Sequence, residues 1–347
     1  MSWLVYAGFI GLIFFLMILD LGLFHRKQHV IGMREAMTWT GVWVATALVF
    51  NGLVYFLYGH NWLDFVKAYK PDPAKTGMVA AQEFFTGYLV ELSLSMDNLV
   101  VFAAILAHFG VPLKNQHRVL VWGIIGAVIL RGGMIGGGVA LVNTFEWMLY
   151  VFGGILILTS VKMAMPEGEE TPPERRLIVR MARKVLPVTK EFHGSQFFAR
   201  EGGRLMMTPM LLALLLVDVA DVIFAVDSIP AIFGVTRDPF IIFTSNMFAI
   251  LGLRSMYFAL VNLIERFKYL KPAIVVLLAF IGVKLVIHKW LPIDNTVSLI
   301  VIGCVLLAGI CGSLIATRGM GSEGAAEEGE EGEDEAKIAE EQAAEDA

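Results

Sequence analysis

Two stretches decide how the chain is read: Glu91-Leu-Ser-Leu-Ser-Met-Asp97-Asn98 and Asp218-Val-Ala-Asp221-Val-Ile-Phe-Ala-Val-Asp227-Ser228-Ile-Pro230. Each lies inside an apolar run long enough to cross a bilayer, which takes roughly 20 residues of helix. An ionised side chain at the centre of such a helix costs about 2.5–3.5 kcal/mol on insertion scales, so residues that bear the cost face a bundle interior or a wet cavity. Acids in such places are functional candidates by default. The bland alternative, that they only neutralise nearby bases, is weakened by number. Glu91, Asp97, Asp218, Asp221 and Asp227 outnumber the mid-membrane bases Arg131 and Arg254.

The surrounding composition agrees. Of 347 residues, 57% are hydrophobic, and the mean hydropathy is +0.69, against roughly 45–50% apolar residues in soluble domains. The fold expected is an all-α membrane protein with about nine transmembrane helices, near 3–24, 38–58, 81–108, 119–142, 146–165, 206–234, 240–264, 272–291 and 296–316. Met1-Ser2-Trp3 lacks the basic start of a secretory signal. Cys304 and Cys311 both fall in the last run and read as small packing residues, which argues against a disulfide framework or a cysteine metal site.

The net charge of −5 conceals two regimes. Residues 321–347 hold twelve acids and one lysine, a net −11, which leaves about +6 for the remainder. Gly/Ala/Glu composition of this kind cannot bury a core. Residues 317–347 are therefore expected to form a disordered acidic cytoplasmic tail behind a transmembrane domain over 1–316. Outside the helices, Lys and Arg divide 17 to 5 between alternate sides. Cytoplasmic loops are the basic ones, so the N-terminus is expected outside, with the C-terminus and the basic loop 166–205 in the cytoplasm.

The charges also repeat. Glu91/Asp97 and Asp221/Asp227 share a six-residue spacing and lie 130 positions apart; Arg131 recurs as Arg254 after 123, and Val161-Lys162 as Val283-Lys284 after 122. Acid pair, arginine and lysine thus keep their order over three helices. Three is odd, so the second copy enters the membrane from the opposite side. Two inverted three-helix repeats, about 81–165 and 206–291, are expected, and in secondary transporters sites lie where such repeats meet. On an unbroken helix, six residues place Glu91 and Asp97 about 120° apart, so one shared site needs a local break or several helices. Pro230, lacking an amide donor, is expected to break its helix near the end.

The candidate ligands are oxygens: the five acids, with Ser95, Asn98, Ser228 and Asn246 as auxiliaries. No histidine or cysteine sits among them, and an oxygen-only set suits Mg²⁺, Ca²⁺ or Mn²⁺ rather than Zn²⁺ or Cu⁺. Arg131, Arg254, Lys162 and Lys284 are the expected charge partners. Five acids against two arginines leave −3, which a dication with one acid protonated nearly cancels, so metal–proton exchange is a natural mechanism. Asp20, at the end of the first helix, reads either as a partner of Arg26 or as a gate or proton site. The histidines fall in loops or near helix ends and read as ordinary polar residues.

Asp20-Leu-Gly-Leu-Phe-His25-Arg26-Lys27, the Glu91–Asn98 stretch and Asp221-Val-Ile-Phe-Ala-Val-Asp227-Ser228-Ile-Pro230-Ala231 resemble the hallmark segments of the TerC family, in particular its Alx-type bacterial members. The resemblance covers roughly residues 1–316, and the acidic tail is no part of it. It implies an inner-membrane manganese exporter of LysE-like architecture, linked to tellurium resistance and alkaline pH response, in which acids of helices one, three and six matter. On this reading the protein is no enzyme and carries no cofactor; Mn²⁺ is cargo, protons and lipid are partners, and nucleic acid is not. A homo-oligomer or a membrane-protein partner stays open. So do two rival functions: a scaffold for membrane-protein assembly, and an intramembrane aspartyl protease. The protease reading wants Tyr-Asp and Gly-x-Gly-Asp segments, and neither flanks an intramembrane acid here.

Overall fold

The computed structural model describes residues 2–24, 32–60, 65, 75–165, 188–189, 194, 196–201, 204–261, 269–313 and 315–316. Among these residues it is a helical bundle: α1 (Ser2–Phe24), α2 (Met33–Gly59), α3 (Gly77–His108), α4 (Leu113–Thr144), α5 (Met148–Ala164), α6 (Pro209–Phe233), α7 (Pro239–Val261), α8 (Leu270–Ile287) and α9 (Asn295–Ser313). Seven of the nine are long and apolar enough to cross a membrane; α1, over Val5–Leu19, and α5 are shorter apolar helices. Exposed Val49, Ile129, Leu158 and Leu307 belong to the apolar outer surface that such a bundle turns to lipid. The expected tail 317–347 and most of the loop 166–205 lie outside the described residues.

One departure from an all-helical chain precedes α6. Antiparallel strands β1 (Phe198–Glu201) and β2 (Arg204–Met207) form a hairpin with Ala199 opposite Met206. It rests on the start of α4, where the Arg118 guanidinium lies over the Phe197 ring and Asn115 donates to the Gly194 carbonyl. α6 therefore starts at Pro209, not 206. Thr208 ends the strand, caps the helix by accepting from the Leu211 amide, and donates to the Gln196 and Phe197 carbonyls. At the other end α6 runs through Pro230 to Phe233, so the expected break is absent. A proline so near a helix end forfeits one hydrogen bond without stopping the helix.

Contacts fix which helix ends share a side. Tyr58 at the end of α2, Lys75 before α3, Asp238 before α7 and Asn295 at the start of α9 meet in one hydrogen-bonded group. The hairpin, the start of α4 and the junction of Tyr269 with Ser313 lie at the opposite end. α3–α4–α5 and α6–α7–α8 consequently run in opposite senses. Across the two sets α3 packs on α7, α4 on α6 and α5 on α8. α7 is central: 94% of its span is buried, against 28% for α2 and for α9.

Lipid gives helices little hydrophobic reason to associate, so close approach at small residues matters. α5 and α8 touch backbone to backbone at Gly153 and Gly282. A methyl group at 153 would lie 2.8 Å from the Gly282 carbonyl oxygen, and one at 282 would lie 2.9 Å from that of Gly153. Gly136 and Gly137 of α4 face open space. Gly153→Ala should therefore lower the melting temperature in detergent, because two backbones must separate. Gly137→Ala should leave it unchanged or raise it, since alanine is favoured over glycine in a helix by up to about 1 kcal/mol. Equal effects at the two positions would refute the crossing.

Candidate functional site

The acids of α3 and α6 divide between two places. The first is built on Arg131 of α4, which has no exposed surface. Its Nε and Nη2 donate to Asp221 Oδ2 and Oδ1 at 2.9 and 2.6 Å, a two-pronged pair, while Nη1 donates to Glu91 Oε1. Asn246 Nδ2 of α7 donates to Glu91 Oε2 at 2.8 Å. Ser95 Oγ stands 3.4 Å from Glu91 Oε1. One guanidinium thus ties α3, α4 and α6 together, and α7 joins through an amide. Arg254 lines a cavity of about 20 Å³ with Asp221, space for about one water. Its Nη1 also donates to His117 Nε2 at 2.9 Å. Arginine only donates, so His117 accepts there.

The second place is a cavity of about 620 Å³ between α3, α5, α6 and α8. Asp97, Asn98, Thr159, Lys162, Asp227 and Lys271 give it its polar lining. Both aspartates are half-buried, and Thr159 Oγ1 donates to Asp227 Oδ1 at 2.8 Å. Thr159 and Lys162 are near the last turn of α5, and Lys271 is the second residue of α8. The cavity therefore extends toward the hairpin end. α3 and α6 are both unbroken, so six residues of helix separate Glu91 from Asp97 and Asp221 from Asp227 in direction as well as height. Among the described residues no three His, Cys, Asp or Glu side chains gather as a resident metal site would require.

Asp218, half-buried one turn before Asp221, lies over Gly126 of α4; a methyl group there would sit 2.8 Å from its Oδ1. That oxygen has no hydrogen-bond partner, and neither do Asn98 Nδ2, Ser228 Oγ and Asn246 Oδ1. All four residues were singled out by sequence. Trp43 Nε1, Asn51 Oδ1 and Ser255 Oγ are equally unpartnered, so these atoms mark no single ion site, although buried polar atoms are normally satisfied. The side chain of Asp20 lies outside the described residues.

A third polar layer, at the end away from the hairpin, escaped the sequence reading. Lys75 Nζ lies 2.6 Å from Glu83 Oε2 and 3.4 Å from Asp238 Oδ2. Thr236 and Asn295 donate to the two oxygens of Glu83, and Tyr58 to Asp238 Oδ2. Lys284 is buried beside this layer and donates to Ser298 Oγ at 2.7 Å. Asp294 immediately precedes α9; its Oδ1 accepts from the Thr296 amide, a bond that with the Thr296 hydroxyl and the Lys284 charge holds the carboxyl below the ordinary range. These partners are up to 212 residues apart in sequence, as Glu83 and Asn295 are.

The buried charges are grouped. Lys75 pairs with Glu83 and Asp238, Arg131 pairs with Glu91 and Asp221, and Lys162 and Lys271 line the same cavity as Asp97 and Asp227. Asp218 is the acid left over in the described interior.

The chain matches the model of the integral membrane protein TerC family over residues 76–320. It is 46% identical over 314 residues to an uncharacterised membrane protein, STKORF319, of Myxococcus xanthus, covering 90% of this chain and 93% of that one. It is 42% identical over 305 residues to the "Putative membrane-bound redox modulator Alx" of Escherichia coli K12, covering 88% and 92%. No solved structure matches.

The two acid sites should separate by experiment. Arg131→Gln strands two buried carboxylates, and breaking a buried pair this way costs about 3–5 kcal/mol. A marked fall in detergent melting temperature is expected. Asp227→Asn removes a half-buried cavity acid and should leave the melting temperature within a few degrees of the original. Similar losses for both would contradict the division.

Proposed function

The chain belongs to the TerC family of integral membrane proteins, and on that footing we propose that it exports a hard divalent cation, Mn²⁺ before others, through the cavity between Asp97 and Asp227. The observation that carries this reading is that cavity. It is lined by two carboxylates from different helices and by the Asn98 and Thr159 oxygens, and its lining contains no histidine or cysteine. Such a donor set favours Mg²⁺, Ca²⁺ or Mn²⁺. Two carboxylates with neutral oxygens and water suit a cargo that must leave again. Glu91 and Asp221 have their oxygens engaged by Arg131 and Asn246; their role is to hold the bundle and position the cavity acids. Asp218, with an oxygen that accepts no hydrogen bond, is the proton-carrying acid.

We read α3–α4–α5 and α6–α7–α8 as inverted repeats. The opposite senses of the two sets, the reciprocal packing of α3 on α7 and α6 on α4, and the repeated acid–arginine–lysine order support this. Corresponding lysines then stand in opposite circumstances. Lys162 lines the open cavity, whereas Lys284 is packed shut against Ser298. Open at one end and closed at the other is the arrangement alternating access requires. The bias of Lys and Arg supports a cytoplasmic hairpin end, an outward N-terminus and residence in a bacterial inner membrane. The cavity then loads from the cytoplasm, and the Lys75–Glu83–Asp238 layer closes the outer end.

The redox role in the relatives' name finds no dithiol here. Cys304 and Cys311 are exposed, seven residues apart on α9, a rise of about 10 Å. A disulfide needs Cα atoms within about 7 Å.

Asp97→Asn and Asp227→Asn should each reduce manganese efflux to background in loaded vesicles at equal protein level. The double variant should be no worse, because both acids line one path and either loss closes it. Cells lacking the protein should accumulate manganese when it is supplied in excess. Efflux close to normal in either variant, or accumulation of zinc or copper in place of manganese, would reject the proposal.

A further inference from the structure

The β1–β2 hairpin has a face that the helical bundle does not use. Residues alternate across a strand. Ala199 turns toward the protein and is buried, while Phe198 and Arg200 turn away and are exposed. Leu205, opposite Arg200 in the register, is exposed with them. Two large apolar side chains thus flank one arginine on a surface outside the helices. Exposed apolar patches with a polar rim mark a partner or a membrane.

The neighbouring face of α4 decides between the two. Lys114, Arg118, Trp122 and Ile129 are all exposed, and at 100° per residue they fall within about 80° of one another. Along this stripe the side chains change from basic to aromatic to aliphatic, with Lys114 about 12 Å before Trp122. Tryptophan favours the headgroup level of a bilayer, and Lys and Arg favour the water just beyond it. The stripe therefore follows the depth profile of one leaflet, a gradient that a protein partner would not impose. The hairpin is fastened to the stripe at headgroup level. The Arg118 guanidinium carbon lies 5.2 Å from the centre of the Phe197 ring, which meets the Trp122 ring edge-on at 6.3 Å. Phe198, Arg200 and Leu205 are thereby held where headgroups and acyl chains meet.

We propose that this hairpin face is a docking surface for anionic phospholipid: Phe198 and Leu205 enter the acyl-chain boundary, while Arg200 and Lys114 bind headgroup phosphate. Basic groups at a membrane surface are drawn to anionic lipid in this way. Such docking does not depend on which ion the cavity carries. Its consequence for the bundle runs through Thr208, which caps α6 and donates to the Gln196 and Phe197 carbonyls. A hairpin seated on lipid therefore fixes the start of the helix that carries Asp218, Asp221 and Asp227.

The test is thermal unfolding of the purified full chain in detergent, titrated with phosphatidylglycerol, with phosphatidylcholine of the same chains, or with inorganic phosphate. Phosphatidylglycerol should raise the melting temperature at lower concentration than phosphatidylcholine, and inorganic phosphate should leave it unchanged. Arg200→Gln and Lys114→Gln should each raise the half-saturating phosphatidylglycerol concentration about fivefold and leave the phosphatidylcholine response as it was. Phe198→Ser combined with Leu205→Ser should weaken the response to both lipids. A second measurement locates the face directly. A fluorophore on Phe198→Cys, in a Cys304→Ser, Cys311→Ser background in phosphatidylglycerol vesicles, should be quenched by lipid brominated on its acyl chains and shielded from aqueous iodide. Equal response to the two lipids, an equal effect of inorganic phosphate, or quenching by iodide at position 198 overturns the inference. So does emission at 198 that shifts with protein concentration, which would make the face a contact between copies of the chain.

Discussion

The Arg131 guanidinium is the constraint on which the rest of the bundle depends. It donates to Asp221 through two nitrogens and to Glu91 through a third, with no exposed surface of its own. Arginine suits this position because its planar fork matches a carboxylate and stays charged under any condition a cell meets. Lysine would present a point charge with no fixed direction. The cluster offers no general stabilisation of the kind apolar packing provides, because burying charges nearly cancels the attraction between them. What it supplies is register. α3, α4 and α6 can slide or rotate relative to one another only by breaking a buried ion pair.

That register reaches the cavity through the six-residue spacing. Asp97 is six residues beyond Glu91 on an unbroken helix, and Asp227 six beyond Asp221 on another. Six residues advance a helix about 9 Å and turn it to a face about 120° away. Clamping Glu91 and Asp221 to one arginine therefore fixes the height and direction of two other carboxylates that the arginine does not touch. Because α3 and α6 run in opposite senses, Asp97 lies beyond the arginine toward the hairpin end and Asp227 beyond it toward the other end. With the pairs on separate faces, one set holds the helices and the other stays half-exposed in a cavity.

Much of this was legible in the sequence, for identifiable reasons. Spans are set by apolar run length, so the nine helices were placed to within about six residues at their ends, although only seven are long and apolar enough to cross a membrane. The charges are costly enough in lipid to be conspicuous, so Glu91, Asp97, Arg131, Asp221 and Asp227 stood out. How the acids divide was visible only as an angle, and the unbroken α3 and α6 resolved it in favour of two places. Residues near helix ends carried no such signal. Lys75, Glu83 and Asp238 are ordinary in a membrane interface until tertiary contacts bury them together. Thr159 and Lys271 were hidden for the same reason, and His117 became notable only once Arg254 was found donating to it. The hairpin was missed because four-residue strands inside a polar connection have no periodicity to read.

The two ends of the molecule differ although acid, arginine and lysine recur in the same order along the chain. What differs is the packing around the lysines. At the closed end Lys75 is held by Glu83, Asp238 and Thr236, and Lys284 by Ser298. At the hairpin end Lys162 and Lys271 border an open cavity. The Gly153–Gly282 crossing lies on the closed side of that cavity, five residues from the outer ends of α5 and α8. At that crossing a methyl group on either glycine would lie 2.8 to 2.9 Å from the other's carbonyl oxygen, so the two backbones hold the closed end together while the cavity lies beyond them toward the hairpin end.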